Sequence, residues 1–144
     1  MKIIICGSQS TDGFINEMKK AAEFLRKKGF EVFTPDCFEE EPLVTEDYYK
    51  ENFGNEKFLK MKPQWTKNHW KEIEKSEAIL IMNHEKKGFR GYIGSNTLME
   101  LSVALYLGKK IFLLNPIEEG SPHYEELAGI DSTIINGNLD LIKI

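Results

Sequence analysis

Three short aliphatic runs, Lys2 to Cys6, Ala78 to Met82 and Ile111 to Leu114, constrain this chain more than any other feature. Each is too short for a helix and lacks polar alternation, which is how a strand buried on both faces reads. Between them the period changes. Phe14, Ile15, Met18, Ala21, Ala22 and Leu25 recur at helical spacing, with Ser10, Thr11 and Asp12 as caps and Gly29 as a stop. Phe30 to Thr34 is a further short strand closed by Pro35, and the acidic stretch Asp36 to Asp47 reads as loop. Tyr48 to Met61 is predicted helical and ended by Pro63, with Thr66 to Ser76 a separate helix. After the polar loop Asn83 to Arg90 come a helix over Asn96 to Leu107, a short helix at Tyr124 to Ala128, and a last strand at Thr133 to Ile135 before an Asn136-Gly137 turn. Strands alternating with helices imply parallel pairing with right-handed crossovers. The expectation is an α/β fold over residues 1–144 as one domain. It is a doubly wound five-stranded parallel sheet, flavodoxin- or Rossmann-like, with the strands in the order 2-1-3-4-5 and helices on both faces. Ligands in such sheets bind beyond the carboxyl ends of the strands, at the switch point. That directs attention to Gly7–Gly13, Asn83–Asn96 and the segment from Asn115 onward.

Charge narrows the partners. Lys and Arg number 19 against 23 Asp and Glu, a formal −4 over 144 residues, so the electrostatic footprint for duplex nucleic acid is missing. The apolar run before Gly7 is too short for a secretory signal or a membrane span, so a cytoplasmic chain with no membrane partner is expected. Cys6 and Cys37 then read as reduced, structural thiols. His69, His84 and His123 are too scattered for a metal site, and no metal is expected.

Two loops carry candidate chemistry. Gly7 to Gly13 reads Gly-Ser-Gln-Ser-Thr-Asp-Gly, with Gly7, Ser8, Ser10 and Gly13 placed just before a helix, where backbone N–H groups favour an anion or sugar hydroxyls. The same residues also suit an ordinary capped turn. No Walker lysine and no dinucleotide glycine spacing is present, so no cofactor is implied. The second loop, Gly91 to Glu100, contains Tyr92, Gly94, Ser95, Asn96 and Thr97 and opens a helix that is otherwise apolar on all sides and therefore expected to be buried. Glu100 is its single charge before Lys109. One reading makes Thr97 and Glu100 a capping box. The other places a first-turn carboxylate, favoured by about 0.3–1 kcal/mol from the helix dipole, against the ligand crevice. Cleaving an N-glycosidic bond needs such a carboxylate at the anomeric carbon and a proton donor near the departing base.

Lys-Ile-Ile-Ile-Cys-Gly-Ser at Lys2 to Ser8, the helix around His69 to Lys75 with the strand Ala78 to Met82, Gly91 to Ala104, and Gly108 to Pro116 together resemble the nucleoside 2-deoxyribosyltransferase superfamily. The opening Cys-Gly-Ser and the size are most similar to its 2′-deoxynucleoside 5′-monophosphate N-hydrolase branch. The resemblance implies that Glu100, in its Met99-Glu100-Leu101 setting, attacks the deoxyribose of a small nucleoside or nucleotide. It also implies a homodimer or larger homo-oligomer, since members often complete the pocket from a neighbouring subunit. Three departures stand out. The Arg and paired glycines that hold a 5′-phosphate are replaced by Gln9, Ser10, Thr11 and Asp12. The family's carboxylate on the helix before the third strand falls on His69, an imidazole able to serve as the proton donor. The transferases' Asp six residues before the nucleophile falls on Gly94. Asn83 is placed either to contact sugar or base or to cap its turn. Lys86, Lys87 and Arg90 lie where a phosphate could be neutralised, whereas Lys57, Lys60, Lys62, Lys67, Lys71 and Lys75 read as a solvated face. Tyr48, Tyr49, Phe53 and Phe58 read as core or interface. The missing acid keeps a second reading open, a non-catalytic nucleotide-binding or sensing module in which Glu100 bonds a ribose hydroxyl.

Overall fold

A computed structural model describes residues 1–9, 14–37 and 45–144, the side chain of Glu46 excepted. Five strands form one parallel sheet: β1 (Lys2–Cys6), β2 (Glu31–Phe33), β3 (Ala78–Ile81), β4 (Lys110–Leu113) and β5 (Thr133–Ile134). Their order is β2-β1-β3-β4-β5, the flavodoxin-like order expected. The helices are α1 (Phe14–Lys27), α2 (Glu46–Asn52), α3 (Glu56–Glu74), α4 (Ser95–Tyr106) and α5 (Tyr124–Ala128). Strand side chains alternate between two cores. Ile3, Ile5 and Leu80 face Met18, Ala22 and Leu25 of α1. Ile4, Ile79 and Ile81 face Ile73 of α3, Leu101 and Ala104 of α4, and Leu127 of α5. Burying each large aliphatic side chain contributes roughly 1.5–3 kcal/mol, which is why the aliphatic runs so firmly dictate a central sheet. Among the described residues no helix is long and apolar enough to cross a membrane.

Two expectations need correction. Pro63 does not end a helix: α3 runs through it from Glu56 to Glu74. Proline removes one backbone hydrogen bond and crowds the carbonyl four residues earlier. Both Pro63 and Leu59 are solvent-exposed, so water can satisfy that carbonyl, and the buried Phe58 and Ile73 hold the two halves on one core. The second correction concerns α4, which is not buried all round. Leu101 and Ala104 face the sheet, but Met99, Leu105 and Tyr106 face outward, the last 88% exposed.

The start of β1 is tied to the end of α3. Lys2 Nζ donates to Glu72 Oε2 at 2.8 Å, and Lys75 Nζ donates to Glu72 Oε1 at 2.7 Å. Burial pushes the Glu72 carboxyl up, but the hydrogen bonds from Lys2 and Lys75 outweigh it and the net shift is downward. A carboxylate depressed in the folded state contributes stability above its unfolded value, about 4.3, and loses it as pH falls through the folded value. Glu72→Gln is therefore expected to lower stability by about 1 kcal/mol at neutral pH. The difference from the parent should shrink and vanish as pH falls through the depressed folded value of that carboxyl. Urea midpoints measured across that range check it; a gap independent of pH would contradict it.

Candidate active site

The cleft lies at the carboxyl ends of β1 and β3 and has a volume of about 450 Å³. Helix geometry explains its walls. On α3, residues 62, 65, 66 and 69 fall at i, i+3, i+4 and i+7, so Lys62, Trp65, Thr66 and His69 share one face, and all four line the cleft. Opposite them, α4 presents Ser95, Asn96, Met99 and Glu100 from its first two turns. The floor comes from Gly7, Ser8 and Gln9, and the rim from Lys86, Lys87 and Tyr92.

Glu100 is not a capping residue. The N-cap of α4 is Gly94, with no side-chain cap bond, so Thr97 is already inside the helix and Glu100 sits in the second turn. The dipole contribution expected of a first-turn carboxylate is correspondingly small, since that effect fades beyond the first turn. Its partner lies across the cleft instead. His69 Nδ1–H donates to Glu100 Oε1 at 2.7 Å, with the two side chains 14% and 13% exposed. Under them lies Cys6, whose thiol is pushed well above its ordinary range, first by burial and then by the charge of Glu100 and a hydrogen bond to it.

The rim is cationic. Lys86 Nζ donates to Ser8 Oγ at 2.8 Å, joining the β3–α4 loop to the β1–α1 loop. Lys86 and Phe89 form an isolated antiparallel bridge around a tight tip, where Lys87 and Gly88 have φ of 53° and 80°. Lys87 Nζ lies 5.6 Å from the centroid of the Tyr92 ring. Among the described residues the lining carries three lysines and a single carboxylate, in a chain of net charge −4. The other wall is aromatic: Trp65 packs on the buried Phe58 at 5.8 Å between centroids, and Tyr49 packs on the same ring at 6.4 Å.

Most of the residues singled out in the sequence meet here. Gly7, Ser8, His69, Tyr92, Gly94, Ser95, Asn96, Thr97 and Glu100 all line the cleft, while Ser10 and Gly13 lie outside the described residues. Asn83 does not reach it. The side chain is 1% exposed, and it donates through Nδ2 to the Asn115 carbonyl at 2.7 Å and accepts from Asn115 N at 2.9 Å. Asn115 Nδ2 returns a bond to the Asn83 carbonyl at 3.1 Å. Asn83 is thus a clamp between the ends of β3 and β4, where an unpaired buried amide would be costly. Arg90 lies in a separate groove with Glu85 and Glu118, away from the lysines. Lys62, Trp65 and Thr66 were not singled out as site residues, although their helical spacing with His69 is visible in the sequence.

No protein-family model and no curated protein matches the sequence. Solved structures do. A 2-deoxyribosyltransferase from Bacillus psychrosaccharolyticus superposes with a TM-score of 0.58 at 22% identity, over 83% of this chain and 75% of that one. The CMP N-glycosidase BcmB of Clostridium botulinum superposes with a TM-score of 0.54 at 17% identity, over 94% and 90%. The chain shares the fold of both. That fold is the one the sequence resemblance implied, with its switch-point crevice where the cleft is found.

Proposed function

We propose that this protein cleaves the N-glycosidic bond of a nucleoside or nucleotide, with Glu100 as the nucleophile. One observation carries the reading: the Glu100 carboxylate is held across the cleft by His69 instead of being tied to its own backbone. The rest of the lining suits the parts of such a substrate. Rings at Trp65 and Tyr49 suit a planar base, and Lys86 and Lys87 suit an anionic substituent on the sugar. The fold likeness to a deoxyribosyltransferase and a CMP N-glycosidase agrees with that chemistry.

In the first step a Glu100 oxygen bonds to the anomeric carbon as the carbon–nitrogen bond breaks, and the electron pair leaves with the base. The base must gain a proton. Ester formation removes the negative charge that holds the His69 proton, so the imidazole becomes a better acid as the base departs. Water or a second base then attacks the same carbon, breaks the ester and restores the carboxylate, and the proton it sheds returns to His69.

Incubation with a panel of nucleosides and their 5′-monophosphates, with free base followed by chromatography, tests this reading. Release by the parent is expected. Binding of nucleotides without any release would assign the cleft to a sensing module instead. Lys86→Met is expected to raise KM for a 5′-monophosphate about 10-fold, the loss of one charge-assisted hydrogen bond, and to leave the matching nucleoside unchanged. Equal effects on both substrates would remove Lys86 from phosphate recognition.

A further inference from the structure

One lysine of α3 differs from the rest of its charged run. Lys57, Lys60, Lys67, Lys71 and Lys75 are exposed, whereas Lys62 is half-buried and lines the cleft. Lys60 pairs with Glu56 and Lys75 with Glu72, but among the described residues Lys62 has no carboxylate partner. Its amine lies instead 5.5 Å from the centroid of the Phe58 ring, one turn nearer the start of the helix. That ring is buried, and it also backs Trp65 and Tyr49. One hub thus fixes a cation beside two aromatic walls. Glu100, the single carboxylate among the described lining residues, is already engaged with His69, so the charge on Lys62 is left for a ligand.

We propose that Lys62 is a second anion subsite, and that the substrate is a nucleoside or nucleotide whose base carries a carboxylate on a short arm. The identity of the substrate rests on the cleavage reading above; the affinity of Lys62 for an anion does not. Order along α3 supplies the argument. On that reading His69, bonded to the nucleophile, marks the bond to be cleaved; one turn back Thr66 and Trp65 meet the base, and a further turn back stands Lys62. Residues 62 and 69 are separated by a rise of about 10 Å along the helix. The amine leans toward Phe58, hence away from His69, so the side chain does not close that gap. A base ring attached at the anomeric carbon ends short of it, and an arm covers the remainder. A phosphate on the sugar is a separate charge, met by Lys87 and by Lys86, which is bonded to Ser8 in the floor. One ammonium matches one carboxylate, and a half-buried cation is screened less than its exposed neighbours.

Two pairs of nucleotides separate charge from size. The first is uridine 5′-monophosphate with a carboxyethyl arm on carbon 5 and its carbamoylethyl counterpart; the second is adenosine 5′-monophosphate with the same two arms on the exocyclic nitrogen. Binding to the full chain is measured by calorimetry, so the comparison needs no turnover. In at least one pair the acid is expected to bind about 10-fold tighter than the amide, the scale of one charge-assisted hydrogen bond. Lys62→Met keeps an apolar stem over Phe58 and should abolish that preference, while Lys62→Arg should retain most of it. Lys67→Met removes a charge from an exposed position of the same helix and should leave the preference at the parent value. If Lys62 serves only to cover Phe58, Lys62→Met lowers Tm and the preference for the acid is untouched. A parent that does not prefer the acid in either pair, or a preference that survives Lys62→Met, overturns the proposal. Failure of the parent to release base from any nucleotide overturns the cleavage reading separately, and the binding ratio still decides the subsite.

Discussion

Glu100→Gln is expected to reduce base release by a factor on the order of 10³ to 10⁴, the scale seen when a covalent nucleophile is removed. Glutamine keeps the length of the side chain and leaves a carbonyl oxygen to accept from His69 Nδ1, now 2.7 Å from Glu100 Oε1. An amide oxygen carries no full charge, however, and cannot form the ester. The substitution thus removes the reaction and leaves the cleft nearly intact. Nucleotide binding, followed by the ligand-induced rise in Tm, should survive within a few fold. Loss of turnover with retained binding is the expected pair of results. A Gln variant that still releases base at a tenth of the parent rate would show that the bond breaks without this carboxylate.

The largest expected effect on stability belongs to Gly91. Its φ is +66°, in the left-handed region, and a Cβ there would overlap the Pro116 carbonyl oxygen and come within 3.1 Å of Asn83 Nδ2. Two penalties combine. Backbone strain in an L residue costs roughly 1–2 kcal/mol, and separating the chain from Pro116 would also break the Asn83–Asn115 clamp. Gly91→Ala is expected to cost about 3 kcal/mol or more, lowering Tm by roughly 10 °C in a domain of this size. Gly120→Ala supplies the control, because that residue has φ of +85° with nothing within 4 Å of its Cβ. It should show the strain alone, about 1 kcal/mol. Equal losses in the two melts would mean that the close approach at Gly91 contributes nothing.

Much of the architecture was legible because its strands are buried on both sides. Ile3, Ile4, Ile5, Ile79, Leu80 and Ile81 face one core or the other, and no polar residue interrupts them. The helix boundaries were less legible where two rules competed. Pro63 reads as a stop on local sterics, yet packing at Phe58 and Ile73 carries the helix through it. In α4, uniform apolarity suggested burial on every side, whereas the fold offers a sheet on one side and solvent on the other.

The site divided along similar lines. Glu100 and His69 could each be singled out, but they are 31 residues apart, and only the packing of α3 on α4 makes them a pair. The same packing turns Lys62 from one member of a charged run into a wall residue. Asn83 went the other way: its position at a strand end looked equally suited to ligand and turn, and its reciprocal bonds with Asn115 assign it to the turn.

That reciprocal pair has a wider meaning for how this crevice tolerates change. The clamp fastens both strand ends at the root of the segment bearing Lys86 and Lys87, independently of what lies at its tip. Insertions or exchanges between Glu85 and Arg90 would leave the strand register untouched. The segment can thus change in length or sequence while the strands beneath it keep their pairing.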